Sequence, residues 1–328
     1  RYLMEGFQEI KRKIEEGEKN YSFIKPDEKD KIPLPHKSCP WPEGDLFKFE
    51  VFSEIMKKNI KLKTYLYLTE KKVRPKGLVF LFHCLGGNMD TTGHFAKAFA
   101  KNGFVCAGFD MRGHGKSEGE DTESFKVIME DSKLFISKTE ETLRAMFKNK
   151  DQKFLDNKFI WGMSMGGMMS IEMSRLDSSI KGAMLLCPAV TLGEDDLEKQ
   201  AIIDLGKKSP ESVFASTNDK SPSNNSNLWE DKESFIYQRS TKLRSGSAIA
   251  EHSIIAEKYL SEYETKFVIV IPGLDRTVPA IQQFAFFENS KSKDKEVWLY
   301  ENNRHAIIWE KEVYEIIDRL IVWINSRI

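Results

Sequence analysis

The chain has 328 residues, and its 50 Lys plus Arg balance 50 Asp plus Glu, so the formal net charge is zero. That length can bury a large core as one α/β domain with an insertion, and the absence of a basic stripe argues against nucleic acid as a partner. The cysteines Cys39, Cys84, Cys106 and Cys187 are scattered without a C-x-x-C pair or a His cluster, so neither a metal nor a cofactor is expected. No apolar run approaches the ~20 residues of a membrane-spanning helix.

Residues 1–18 place Leu3, Phe7, Ile10 and Ile14 amid charges of both signs, the period of an amphipathic helix; packing on the main domain is the expectation and contact with a membrane surface the alternative. A Pro-rich connector follows from Ile32 to Pro42. Residues 47–53 and 61–68 are expected as two opening strands, and 77–82 as a third. Helices over 91–101 and 122–148 then alternate with strands over 105–109, 159–161 and 183–186. This alternation predicts an α/β fold with a doubly wound, mostly parallel sheet. It stops after Pro188, resumes with strands over 267–271 and 296–300, and closes with a helical pattern from Ile307. The predicted division is 1–44 (helix and connector), 45–188 (first part of the core), 189–262 (insertion) and 263–328 (second part of the core). Within the insertion the polar tract from Ser216 to Asn227 is expected to be a mobile loop.

Gly162-Met163-Ser164-Met165-Gly166 falls between a strand pattern and a helix pattern. In that context G-x-S-x-G carries chemistry, because a sharp strand-to-helix turn excludes flanking side chains and lifts the serine Oγ clear of the sheet. A serine needs a base and a group that orients the base. Asp275 lies just past the strand over 267–271, and His305 follows the strand over 296–300. The order Ser, Asp, His is that of α/β-hydrolases. His36, His94 and His252 follow no late strand, while His83 and His114 precede the serine, which leaves His305 as the candidate base. An oxyanion hole needs two backbone donors; the N–H of Met165, after the nucleophile, and that of Leu85, after the third strand, are the candidates.

His83-Cys84-Leu85-Gly86, Asp110-Met111-Arg112-Gly113-His114-Gly115-Lys116-Ser117, Gly162-Met163-Ser164-Met165-Gly166-Gly167, the Asp275 loop and His305 occur in this order. In these motifs the chain resembles the monoacylglycerol lipase-like serine hydrolases, also grouped as the serine aminopeptidase S33 or lysophospholipase-like branch of the α/β-hydrolases, over residues 45–328. The resemblance implies an α/β-hydrolase fold with residues 189–262 as a helical cap, and a structural rather than catalytic role for Asp110 and His114. Apolar cap residues such as Ile202, Ile203, Leu205, Val213, Phe214, Leu228, Trp229, Phe235 and Ile236 then either line an acyl channel or hold the cap to the body. Two departures stand out. Cys84 replaces the first glycine of the family's H-G-x-G, and Gly87 and Thr91 stand where lipases of the branch carry Glu and a head-group-contacting Arg.

The expected activity is therefore serine ester hydrolysis through an acyl-enzyme, on monoacyl lipids such as monoacylglycerol or lysophospholipid, or on related carboxylic esters. A small-ester carboxylesterase and a non-catalytic hydrolase-fold binding protein are the alternatives. Peptidase activity is weaker, since no acidic cluster is placed to bind a free amine. Peripheral membrane contact through the cap, and a cytoplasmic or peripheral-membrane location, are the accompanying expectations.

Overall fold

The computed structural model describes residues 12–13, 16, 20–23, 39–192, 195–212 and 242–328. Most of the expected amphipathic helix over 1–18, the connector as far as residue 38, and the tract from Ser216 to Asn227 lie outside the described residues.

The strands are β1 Tyr21–Phe23, β2 Phe49–Ser53, β3 Lys58–Leu62, β4 Thr64–Tyr67, β5 Gly77–Phe82, β6 Phe104–Phe109, β7 Lys158–Met163, β8 Ile180–Leu186, β9 Phe267–Pro272 and β10 Lys295–Tyr300. The α-helices are α1 Gly93–Lys101, α2 Phe125–Met146, α3 Met165–Leu176, α4 Asp196–Lys208, α5 Leu243–Ala256, α6 Ala280–Asn289 and α7 Val313–Asn325. Eight strands form one sheet in the order β1-β10-β9-β8-β7-β5-β6-β4, while β2 and β3 pair as a separate antiparallel ribbon. Only β4 runs antiparallel to its neighbour in the large sheet. The chain is an α/β-hydrolase in architecture.

Every residue of β5, β6, β7 and β9 is buried, as expected of parallel strands covered on both faces. Alternation along each strand sorts its side chains between two cores. Leu78, Phe80, Phe82, Ile160, Leu185 and Ile269 meet α2, α3 and α6 through Phe135, Met168, Met169, Phe284 and Phe287. Val79, Leu81, Trp161, Val268 and Val270 meet α1 and α7 on the other face, through Phe95, Phe99, Ile316, Leu320 and Trp323. Helix α2 starts where the Ser124 side chain accepts a 3.2 Å bond from Val127 N–H, an N-cap that satisfies one of the orphan donors of the first turn.

The strand order reverses at β5, with β6 on one side and β7 on the other. At such a switch point the loops leaving the strands diverge and open a crevice at their carboxyl ends. Here those loops begin at His83 and Ser164.

Helix α6 was not expected, and three further elements differ from the sequence expectation. Residues 61–68 are not one strand: β3 ends at Leu62 and β4 begins at Thr64. At the break, Lys63 N–H donates to Ser117 Oγ at 2.8 Å and the Lys63 carbonyl accepts from Asp110 N–H at 2.9 Å, so its backbone serves the Asp110–Ser117 loop rather than a ladder. The helical pattern from Ile307 is a 3₁₀ turn, Ile307–Trp309, followed after a break by α7. Strand β1 adds a parallel edge to β10 between the expected helix over 1–18 and the connector from Ile32, where no element was expected.

Candidate active site

Ser164 links β7 to α3 with φ 54° and ψ −118°, a region that L-residues seldom occupy. The strain is held from both sides. Ser164 N–H donates to Leu186 O at 2.9 Å, and the Ser164 carbonyl accepts from Ala189 N–H at 2.9 Å and Met168 N–H at 3.1 Å. The flanking glycines are steric necessities. A Cβ at Gly162 would strike the Gly166 carbonyl and Ser170 Oγ, and one at Gly166 would strike the carbonyls of Phe82 and His83.

Asp275 and His305 come from loops after β9 and β10 that are laced together. Gly273 N–H donates to Tyr300 O at 2.8 Å and Leu274 N–H to Asn303 O at 2.9 Å. Asp275 Oδ1 accepts from the N–H groups of Thr277 and Val278, each at 2.9 Å. Its Oδ2 faces His305 Nδ1 at 2.8 Å and accepts from Gln283 Nε2 at 3.2 Å. His305 Nε2 lies 3.0 Å from Ser164 Oγ. A carboxylate beside Nδ1 favours the proton there and leaves Nε2 as an acceptor for the serine proton. The arrangement can therefore deprotonate Ser164 as its oxygen attacks a carbonyl carbon.

Met165 opens α3, so its N–H has no acceptor one turn back and faces the space before the helix. Leu85 depends on His83. That imidazole is wholly buried; Nε2 accepts from Met111 N–H at 3.0 Å, so Nδ1 carries the proton and donates to Cys84 O at 2.8 Å. The Cys84 carbonyl also accepts from Gly87 N–H at 3.0 Å. Cys84 C=O and Leu85 N–H belong to one planar trans peptide and point oppositely, so holding the oxygen aims the N–H. Burial, and then the neighbouring His114, push the His83 pKa down to about 3, which keeps the clamp neutral.

The Asp110–Ser117 loop supports this wall without entering the crevice chemistry. Asp110 accepts from Met89 N–H at 2.7 Å, Lys116 N–H at 2.8 Å and Tyr65 Oη at 2.8 Å. Burial nonetheless outweighs these bonds and pushes its pKa up to about 6. Arg112 is buried against Asp131 and Glu123 on and before α2, anchoring the loop to that helix. His114 Nδ1 is engaged by Arg112 O at 2.9 Å. His94 lies on α1, and His252 on α5 stacks on Phe125 with ring centroids 3.7 Å apart. His36 lies outside the described residues.

Two neighbours of the site carried no signal in the sequence. Gln283, on α6, donates to both Asp275 Oδ2 and Val278 O. Cys187 follows directly on β8 at φ 37° and donates its S–H to the His305 carbonyl at 3.1 Å. Cys84, Cys106 and Cys187 are buried free thiols, and nothing near Cys187 in the chain points to the site.

A family model described as serine aminopeptidase, S33, matches residues 73–312. The chain belongs to this family. Among curated relatives, the monoglyceride lipase of Rattus norvegicus is 20% identical over 264 residues, spanning 77% of this chain and 84% of that protein. The monoglyceride lipase of Homo sapiens is 23% identical over 266 residues, with 77% and 84% covered. Among solved structures, a soluble variant of the Saccharomyces cerevisiae monoglyceride lipase with a substrate analogue aligns at TM-score 0.69 and 20% identity, covering 90% of this chain and 99% of that one. The Paleococcus ferrophilus monoacylglycerol lipase aligns at 0.67 and 21%, covering 81% and 99%. This S33 member is thus a monoglyceride lipase-like α/β-hydrolase.

Proposed function

We propose that this carboxylic ester hydrolase works through an acyl-enzyme on Ser164 and that its substrates are monoacyl lipids, such as monoacylglycerols or lysophospholipids. The observation that carries the mechanism is the unbroken chain from Ser164 Oγ through His305 to Asp275, at 3.0 and 2.8 Å. His305 Nε2 takes the serine proton as Oγ attacks the ester carbonyl. Asp275 holds the ring and stabilises the imidazolium that forms. The N–H groups of Leu85 and Met165 receive the developing oxyanion. His305 then returns the proton to the departing alcohol, and the same base activates the water that cleaves the acyl-enzyme. No step requires a cofactor.

The lipid reading rests on the relatives' names and on residues 189–262 serving as a cap. Within that segment α4 and α5 lie so close that a Cβ at Gly206 would meet the side chain of Ser247. Ile203 is buried there, which favours gluing the cap helices over lining a channel, while Leu205 is half exposed. Val213, Phe214, Leu228, Trp229, Phe235 and Ile236 lie outside the described residues. Among the described residues no helix is long and apolar enough to cross a membrane. Contact with a lipid surface through the cap, from the cytoplasm, is the mode of access this reading assigns.

Glycerol recognition is expected to be weak. Thr91 spends its hydroxyl on Asn88 O at 2.6 Å, and Gly87 offers no side chain. The decisive experiment pairs Ser164→Ala with substrate series. The variant should lose fluorophosphonate labelling and about 10⁶ in kcat; undiminished labelling would refute the nucleophile. Each buried methylene is worth about 0.8 kcal/mol, so two or three extra acyl carbons should raise kcat/KM roughly tenfold or more until the channel fills. Equal rates across acyl lengths would leave a small-ester esterase. A strong preference for glyceryl over methyl esters of one acyl chain, below micellar concentration, would overturn the loss of head-group contacts.

A further inference from the structure

The Cys187 thiol sulfur, an Asp275 carboxylate oxygen and a His305 ring nitrogen all lie within 4.8 Å of one another, and all three residues are buried. An Asp–His pair alone offers two hard or borderline ligands. A thiolate beside it supplies the third and selects for soft, d¹⁰ cations. Zinc held at ~2.3 Å from sulfur and ~2.0–2.2 Å from nitrogen and oxygen sets tetrahedral ligand atoms about 3.4–3.6 Å apart. The 2.8 Å contact between Asp275 Oδ2 and His305 Nδ1 would open by well under an ångström to admit the ion. Cys106 Sγ, by comparison, donates to the carbonyls of Ala96 and Phe104.

We propose that Cys187, Asp275 and His305 form an inhibitory site for a thiophilic divalent cation, Zn²⁺ or Cd²⁺. The chemistry balances without a redox step. The ion bonds to Cys187 Sγ, Asp275 Oδ and His305 Nδ1; the thiol proton leaves to solvent, and the Nδ1 proton moves to Nε2. Net, one proton is released per ion bound. The imidazole is then locked in the tautomer whose Nε2–H donates to Ser164 Oγ instead of accepting from it. Water or another small ligand completes the fourth position. The inhibition rests on the reading of His305 as the base, whereas the binding does not.

The experiment reads binding and inhibition separately on the full chain. Cd²⁺ is titrated while the ultraviolet thiolate-to-cadmium charge-transfer band is followed, with thermal melting confirming that each variant is folded. Wild type and the inactive Ser164→Ala variant should show a saturable band at one ion per chain. Cys187→Ser and Asp275→Asn should bind about tenfold or more weakly, the least expected on losing a ligand, and Cys84→Ser should match wild type. Cys187→Ala serves in place of Cys187→Ser if the latter melts early. In ester hydrolysis, half-inhibition by Zn²⁺, relative to each variant's own metal-free rate and reversed by a chelator, should need about tenfold more metal in Cys187→Ser. A band with the wild-type midpoint in both Cys187 variants, its loss in Cys84→Ser instead, or unchanged half-inhibition overturns the site. A chain with no esterase activity that still shows the Cys187-dependent band refutes the functional reading and leaves the metal site standing.

Discussion

Replacing His83 with Phe tests whether a neutral, buried imidazole sets the oxyanion wall. The ring shape is kept while two bonds go, Nδ1–H to Cys84 O at 2.8 Å and Met111 N–H to Nε2 at 3.0 Å. Orphaning the buried Met111 N–H alone costs about 1–3 kcal/mol. The second consequence depends on pH. The folded pKa of His83 is pushed from 6.5 down to about 3, so between those values the unfolded chain binds the extra proton. Stability from the neutral ring is fully present above about pH 6.5 and is lost as pH falls, reaching about 2 kcal/mol at pH ~5. Wild type pays this acid penalty and His83→Phe does not, so urea unfolding should find the stability gap between them narrower by about 2 kcal/mol at pH ~5 than at pH ~7. Kinetically, the freed Cys84–Leu85 peptide should lower kcat about tenfold to hundredfold with KM little changed, less than outright removal of an oxyanion donor. An equal gap at both pH values would mean that His83 is not held neutral. An unchanged kcat would mean that Leu85 is aimed by something else.

Further outcomes follow from the same geometry. His305→Ala should remove turnover about as fully as Ser164→Ala, because nucleophile and base act as a unit, whereas His252→Ala should retain it; steady-state hydrolysis reversing that order would refute the assignment. Gly166→Ala should yield destabilised, nearly inactive protein, since its Cβ meets the backbone of Phe82 and His83 rather than flexible side chains; wild-type melting and activity would show that the elbow can relax. Gln283→Leu removes a donor to Asp275 Oδ2 and should lower kcat by about threefold to tenfold, near the ~1 kcal/mol of one hydrogen bond, and unchanged kinetics would make Gln283 purely a packing residue.

The sheet was legible because its central strands are short β-branched or aromatic runs, buried on both faces, that announce themselves without partners. Phe267–Pro272 is one such strand. Ser164, Asp275 and His305 were legible for a related reason: each follows directly on a strand, and a parallel sheet collects such loops at one edge. What escaped depends on residues distant in the chain. The break at Lys63 is made by a hydroxyl 54 positions away, at Ser117. Cys187 reaches His305 across 118 positions, and nothing beside it in the sequence marks it as more than a core thiol. Helix α6 escaped because it is short: Ala280, Phe284 and Phe287 keep a helical spacing, but ten residues hold too few turns for it to stand out.

The two departures from the family pattern around the oxyanion loop become one event in three dimensions. A Cβ at Gly87 would lie 2.8 Å from Cys84 Sγ and 3.2 Å from Cys84 O. The sulfur thus occupies the space that a side chain at position 87 would need, and the Gly87 N–H is at the same time bonded to the Cys84 carbonyl. A glutamate at 87, as the resemblance expects, would require the Cys84 thiol to turn away and the Cys84 carbonyl to give by a few tenths of an ångström. Cys84 therefore does not by itself disturb the Leu85 amide, because its carbonyl is still clamped by His83 and Gly87. What the Cys84 thiol does is crowd the position from which a side chain at 87 would leave the loop. On the proposed function, the chain keeps Ser164, Asp275 and His305 to cleave an ester and has no side chain at 87 to read its alcohol, so selectivity is expected to fall to whatever holds the acyl chain.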